Sequence, residues 1–151
     1  MSMSPMTLRQ YSSIAAAALL LILLAGCEKE IPVEQSIKEV SRLLEVRKQA
    51  IDNKDLDLYA SIILPGYSAS GIPFEAVVSD MERLFSSDEK IEFRYKRTRP
   101  SIKANSARVT QMIEYHFLPS GRSVKTRETL DLRRVDGKWY IASGIALGMG
   151  G

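Results

Sequence analysis

Few side chains of this sequence could do chemistry, and their scarcity is informative. Cys27 is the one thiol and His116 the one imidazole among 151 residues. An intramolecular disulfide, a cysteine-rich zinc site and a histidine-based metal cluster are therefore excluded, and no metal or cofactor is expected. The remaining candidate is a carboxylate. Glu128 sits in the alternating stretch Glu128-Thr129-Leu130-Asp131-Leu132, on the same side as its two leucines. A carboxylate turned into an apolar interior is costly unless paired, so it demands an account. Tyr95, Arg97, Gln111 and Tyr115 fall on the same side of neighbouring stretches and would complete a polar patch. Two readings are open. The patch lines a small-molecule pocket, with Glu128 as ligand anchor or general base, or Arg97 and Glu128 form a satisfied internal ion pair.

The elements that must position these groups follow from periodicity. Composition, at 45% hydrophobic and 26% charged, suits one domain with an ordinary core and is too apolar for a disordered chain. Ile37, Val40, Leu43, Leu44, Ala50 and Ile51 have helical spacing, with Ser36 and Glu39 as a capping box. Asp52-Asn53-Lys54-Asp55 breaks this helix, and Asp55 caps a second with the stripe Leu56, Tyr59, Ala60, Ile63. Pro73 at a first helical position opens a third, carrying Phe74, Val77, Val78, Met81, Leu84 and Phe85. From Lys90 the period changes to two, and Asn105-Ser106, Ser120-Gly121 and Asp136-Gly137 mark the turns of an antiparallel meander.

Register then assigns faces. A tight turn at Ser120-Gly121 pairs Phe117 with Val124, Tyr115 with Thr126 and Ile113 with Glu128. A turn at Asp136-Gly137 pairs Leu132 with Ile141. In the first long strand Ile91, Phe93, Tyr95 and Arg97 face inward, yet Ile102 must do so too, to meet Val109. The parity change is expected at Arg99-Pro100-Ser101, because proline cannot donate to a ladder. His116 falls on the outer face, opposite Lys125, as a solvated strand residue.

The beginning of the chain reads as an address. Ile14 to Ala25 is an apolar run of 12 residues, too short to span a bilayer, which takes roughly 20, and its flanks suit a secretory signal peptide. Its end, Leu24-Ala25-Gly26-Cys27, resembles the lipobox of bacterial lipoproteins. That resemblance implies cleavage before Cys27, a diacylglycerol on its sulfur and, in most members, an acylated amino group. Glu28 stands where an aspartate would resemble an inner-membrane retention signal, which favours the outer membrane. The expected organisation is a signal peptide over 1–26, a lipidated cysteine and tether over 27–33, a domain over 34–147 and a tail over 148–151.

Three helices followed by a long meander, ending in Glu128-Thr129-Leu130-Asp131-Leu132 and Asp136-Gly137-Lys138-Trp139-Tyr140-Ile141, resemble the nuclear transport factor 2-like, or cystatin-like, superfamily, which includes SnoaL-like members. The helix break Asn53-Lys54-Asp55-Leu56 is similar to its usual link. The resemblance implies an α+β cone, with three helices in the concave face of a curved antiparallel sheet. Its members include isomerases, dehydratases and catalytically silent binding or assembly domains, so the fold does not choose a function. The isomerase-like members carry an aspartate base near the segment Tyr67-Ser68-Ala69-Ser70, which here has none.

The second half of the chain is basic. Residues 93–151 carry 12 basic and 4 acidic groups, against 8 and 14 in residues 28–92. The register places Arg94, Lys96, Arg108, Lys125, Arg127, Arg133 and Lys138 on the outer face, with Glu92, Glu114 and Asp131 opposing them. Such a face either guards strands against aggregation or binds lipid head groups or an acidic envelope partner. Nucleic acid is not expected for an exported protein without aromatic interleaving on this face. The reading favoured is a membrane-anchored, non-catalytic binding or assembly module; the alternative is an isomerase- or dehydratase-like enzyme or ligand binder working around Glu128.

Overall fold

A computed structural model describes residues 31–69 and 71–146. The signal peptide, the lipobox and the C-terminal tail expected from the sequence lie outside these residues. The first helix, α1 (Val33–Asp52), begins directly after Pro32, which occupies its N-cap with φ −53° and ψ 136°. The capping box expected at Ser36 and Glu39 does not form there. Ser36 is buried inside the helix, and its N–H donates to the Pro32 carbonyl at 3.1 Å. The start lies four residues earlier than a Ser36 cap would place it. The preset φ of Pro32 suits the entry, and Glu34 complements the positive end of the helix.

The buried face of α1 is Ser36, Val40, Leu43, Leu44, Arg47, Ala50 and Ile51. Ile37, placed in the apolar stripe by spacing, is 40% exposed. A lysine with φ +55°, Lys54, completes the break, and Asp55 then caps α2 (Leu56–Ser61) by accepting from the Leu58 N–H at 2.9 Å. The short pair β1 (Ser68–Ala69) and β2 (Ile72–Pro73) leads into α3 (Phe74–Phe85). Pro73 is the N-cap of α3, one position before the first helical residue. Among the described residues no helix is long and apolar enough to cross a membrane.

The meander is β3 (Lys90–Lys103), β4 (Ser106–Leu118), β5 (Ser123–Val135) and β6 (Lys138–Ser143), antiparallel and in that spatial order. Its inner face supplies Ile91, Phe93, Val109, Ile113, Tyr115, Phe117, Leu130, Leu132, Trp139 and Ile141 to a core shared with Val40, Leu44, Ile51, Tyr59, Val77, Met81 and Leu84 of the helices. Asp52 ties the end of α1 to the sheet, accepting from the Phe93 N–H at 2.7 Å.

Two details of the register depart from expectation. The β4–β5 pairing is shifted by two residues, with Tyr115 opposite Val124, Ile113 opposite Thr126 and Gln111 opposite Glu128. Pro119 has no N–H to give, and the loop closes instead through Gly121 N–H to Phe117 and Phe117 N–H to Arg122, at 2.9 Å each. A shift of two keeps every residue on its face. Leu132 meets Ile141 as expected. The bulge in β3 lies between Lys96 and Arg99, rather than at Arg99-Pro100-Ser101. β3 is an edge strand, which tolerates a proline, so Pro100 stays in the ladder opposite Val109. Ile102 consequently meets Ala107 instead of Val109.

After β6 the chain turns sharply at Gly144, with φ +91°. A Cβ there would lie 1.9 Å from the Thr129 carbonyl oxygen, a backbone atom that cannot step aside. Gly121 has φ +73° but open space around it. Gly144→Ala should therefore lose more than about 2 kcal/mol in urea unfolding, and Gly121→Ala about 1 kcal/mol, since only the first adds a clash to the left-handed strain. Equal losses would contradict the close approach at Thr129.

Candidate functional site

The charged centre of the molecule joins α1 to β5. Arg47 holds an interior position of α1 by its place in the helical stripe, three residues after Leu44 and three before Ala50. Glu128 holds an interior position of β5 because it alternates in step with Leu130 and Leu132. Arg47 is 0% and Glu128 2% exposed. Their side chains meet in a two-pronged pair, Nη1 to Oε2 at 2.6 Å and Nη2 to Oε1 at 2.8 Å. Gln111, directly across the ladder, donates its Nε2 to Oε2 at 3.1 Å. The Ala146 backbone N–H donates to Oε1 at 3.3 Å. Four donors thus satisfy one carboxylate, and the Phe93 ring lies 5.3 Å from the Arg47 guanidinium carbon.

The electrostatics follow from this geometry. Burial alone would push the Glu128 carboxyl up, but the Arg47 charge and the hydrogen bonds from Arg47, Gln111 and Ala146 outweigh it and hold the group below its ordinary value. Burial likewise works against the Arg47 cation, and Glu128 more than compensates, leaving the guanidinium firmly charged. Burial raises the phenols of Tyr59 and Tyr115, so both stay neutral. The Tyr59 hydroxyl feels the Arg47 charge, which works against the burial, and among the described residues Arg47 Nε has no hydrogen-bond partner. A carboxylate with a lowered pKa, fixed by four donors, makes a poor proton acceptor.

The five residues expected in the interior patch divide. Glu128 and Gln111 are bonded to each other, and Tyr115 is buried beside them. Tyr95 is half-buried and reaches sideways to bond Glu45 of α1; burial, and then that carboxylate, raise its phenol. Arg97 does not pair with Glu128. It sits in the β3 bulge with φ +57° and is exposed, while Tyr95 takes the place opposite Ile113. Thr98 occupies the inward side instead, its hydroxyl 3.5 Å from Gln111 Oε1. The cation opposite Glu128 is Arg47, which apolar spacing alone passes over.

A second cation, Arg134, has a buried side chain. Arg134 stands opposite Trp139 on the inner face, a pairing that the Asp136-Gly137 turn dictates. It forms an ion pair with Glu39 of α1, whose carboxylate also accepts from Trp139 Nε1 at 3.1 Å.

The seven cations assigned to the outer face are all exposed. Moving the bulge adds Arg99 and Lys103, which pair with Thr110 and Ser106 on that face. The opposing carboxylates are engaged: Glu92 by Lys90 and Arg94, Glu114 by Lys125, and Asp131 by Arg108. His116 lies on this face opposite Glu92 and Ser123, rather than opposite Lys125. The sheet carries a shallow cleft of about 620 Å³, lined in part by Ser101, Lys103, Arg108, Asp131, Arg133 and Ser143. A smaller one of about 230 Å³ lies around Arg94, Lys96, Arg97 and Lys125. Among the described residues no group of three His, Cys, Asp or Glu side chains is placed to hold a metal ion.

Replacing Arg47 by methionine strands a buried carboxylate, and should cost about 3–5 kcal/mol in urea unfolding; adding Glu128→Leu should recover most of that loss. Absence of recovery would mean that the pair is held for its packing rather than its charges. The lowered Glu128 carboxyl contributes stability that is complete above its ordinary value of 4.5 and is lost as pH falls through the lowered one. Glu128→Gln should flatten the acid limb of a stability–pH curve, and an unchanged limb would assign it to other carboxylates.

No protein-family model matches this chain, and no curated protein matches it. Solved structures do. A nuclear transport factor 2-like protein of unknown function from Pseudomonas putida KT2440 superposes with a TM-score of 0.65 at 13% identity, over 74% of this chain and 84% of that one. A putative dehydratase of the same family from Streptomyces avermitilis gives 0.60 at 17% identity, over 74% and 94%. Bd1075 of Bdellovibrio bacteriovorus gives 0.64 at 18% identity; there the match covers 74% of this chain but 41% of that chain. At these identities the likeness concerns architecture: the chain has the nuclear transport factor 2-like α+β fold.

Proposed function

We propose that this chain is an exported lipoprotein, cleaved before Cys27 and lipidated there, whose single domain serves as a non-catalytic binding or assembly module at the envelope membrane. The observation that carries the non-catalytic part is the Arg47–Glu128 pair. The interior position where a fold of this kind could keep a reactive group is occupied by a carboxylate already bonded by four donors. Enzymatic use of Glu128, as an isomerase or dehydratase would need, requires breaking that pair at a cost of several kcal/mol. The name of the Streptomyces avermitilis neighbour, a putative dehydratase, therefore does not transfer on fold alone.

The anchor rests on the lipobox-like Leu24-Ala25-Gly26-Cys27 and the apolar run before it. Five residues, Glu28 to Pro32, separate Cys27 from α1. At about 3.3–3.6 Å per residue they reach at most about 20 Å, so the domain works close to the bilayer. Two or three long acyl chains hold such a protein stably where one would not. Glu28 at the position after the cysteine supports the outer membrane over the inner.

Intact-mass analysis of the native protein, with fatty-acid labelling, tests this directly. The expected mass is that of the chain from Cys27 plus its acyl groups, with label lost in Cys27→Ser. An unprocessed chain beginning at Met1, or an unmodified thiol, overturns the anchor. Function retained in cells by Glu128→Gln, at normal abundance, is expected of a module; selective loss of function at normal abundance would restore the enzyme reading.

A further inference from the structure

The bulge in β3 interrupts the alternation by which consecutive strand residues point to opposite faces. Lys96 and Arg97 are consecutive and both exposed, and both border the 230 Å³ cleft, together with Arg94 of the same strand and Lys125 of β5. The device is the left-handed backbone of Arg97, φ +57°, a conformation that costs a non-glycine residue about 1–2 kcal/mol. Bulges often re-aim a side chain at a working site, and this one removes Arg97 from the interior and joins it to three other cations.

The cleft's charge is unbalanced. Its one carboxylate, Glu114, accepts from Ser123 at 2.7 Å and pairs with Lys125 at 3.1 Å. Arg94 pairs with Glu92 at 2.9 Å. Lys96 and Arg97 have no ion-pair partner among the described residues, so the cleft keeps a surplus of positive charge. Met112 adds apolar surface between the cations. Water occupies about 30 Å³ per molecule, so the space corresponds to on the order of eight waters, enough for a phosphate and the first atoms attached to it.

We propose that the cleft of Arg94, Lys96, Arg97 and Lys125 over Met112 binds the phosphate group of a phosphate ester. Four cations from two strands converge on one anion, and guanidinium groups bind phosphate oxygens in pairs. The apolar surface suits an ester carrying carbon atoms better than bare phosphate. Phospholipid head groups present this chemistry, as do soluble phosphate esters. The inference names a ligand for the binding-module reading and rests on it in that sense, but the site itself needs no lipid on Cys27.

The test uses the chain from Glu28 onward, since the core and every hydrogen bond described above lie within residues 31–146. Its affinity is measured for glycerol 3-phosphate in solution, and for phosphatidylcholine vesicles with and without phosphatidylglycerol, at physiological ionic strength. Binding is expected to at least one phosphate ester, reduced about tenfold by Lys96→Gln or Arg97→Gln, as loss of a charge-assisted hydrogen bond predicts. Lys138→Gln, an equal charge change elsewhere on the face, should alter affinity for glycerol 3-phosphate less than about twofold, because screening acts over about 8 Å. Unchanged melting of the variants confirms that the exposed substitutions leave the fold intact. Binding to phosphatidylglycerol vesicles alone identifies the lipid as the source, and binding to glycerol 3-phosphate alone identifies a soluble ester. No binding to either, or equal losses for all three variants, overturns the proposal. Because this chain carries no lipid, that failure leaves the Cys27 anchor standing, whereas a naked Cys27 in native material leaves the cleft standing.

Discussion

A full positive and a full negative charge, taken out of water and placed against each other, organise this domain. The Arg47–Glu128 pair joins the C-terminal half of α1, the longest of the described helices, to β5, 81 residues away in sequence. Desolvating two ions costs more than their attraction returns unless every remaining donor and acceptor is used. Here the carboxylate is saturated by Arg47, Gln111 and Ala146, while the guanidinium lies near an aromatic ring and keeps its Nε without a partner among the described residues. Such a pair adds little to stability beyond what well-packed leucines would, but it penalises every arrangement that separates its members. Helix α1 cannot slide by a turn along the sheet without burying two unpaired charges. The closing segment after Gly144 is tied to the same point through the Ala146 N–H.

The pair also decides what kind of interior this is. An internal pocket in a curved sheet needs polar groups left free to meet a ligand. Glu128 and Gln111 are instead turned on each other and on the helix. The second such contact, Arg134 with Glu39 and Trp139, clips the start of α1 to the far end of the same strand. Both are helix-to-sheet ion pairs, the first fully buried and the second partly so, and together they fix the position of α1 along β5. On the opposite side of the sheet seven cations have no carboxylate partner among the described residues: Lys96, Arg97, Arg99, Lys103, Arg127, Arg133 and Lys138.

Much of this was readable from residue order, for physical reasons that also explain the rest. Period-two alternation over thirteen-residue strands fixes faces strongly, so the burial of Glu128 and the exposure of the basic set follow from sequence. The two-residue error at the β4–β5 turn did no harm to either inference, since faces repeat every two residues. Arg47 was missed because a stripe counted in apolar residues skips a charged one, although its spacing from Leu44, Ala50 and Ile51 places it on the buried side. The bulge lies ahead of the proline that the residue types point to. On an edge strand proline is harmless, and nothing in the residue types Lys96-Arg97-Thr98 announces a left-handed backbone. That one dihedral decided whether Arg97 or Thr98 faced the core.

The basic sheet face also bears on how copies of this chain could meet. A two-fold dimer joins a surface to itself, so each cation near the axis faces its own copy or another cation. A mixed face can offset this by setting carboxylates opposite lysines and arginines. This face has few to offer, and Glu92, Glu114 and Asp131 are already engaged by Arg94, Lys125 and Arg108 of their own chain. Bringing two such sheets together would desolvate the unpaired cations without supplying counter-charge, and of the exposed large hydrophobics among the described residues only Val135 lies on β3 to β6. What lowers the free energy of the surface is an anion from outside, and the cleft bordered by Arg97 is a place that could hold one.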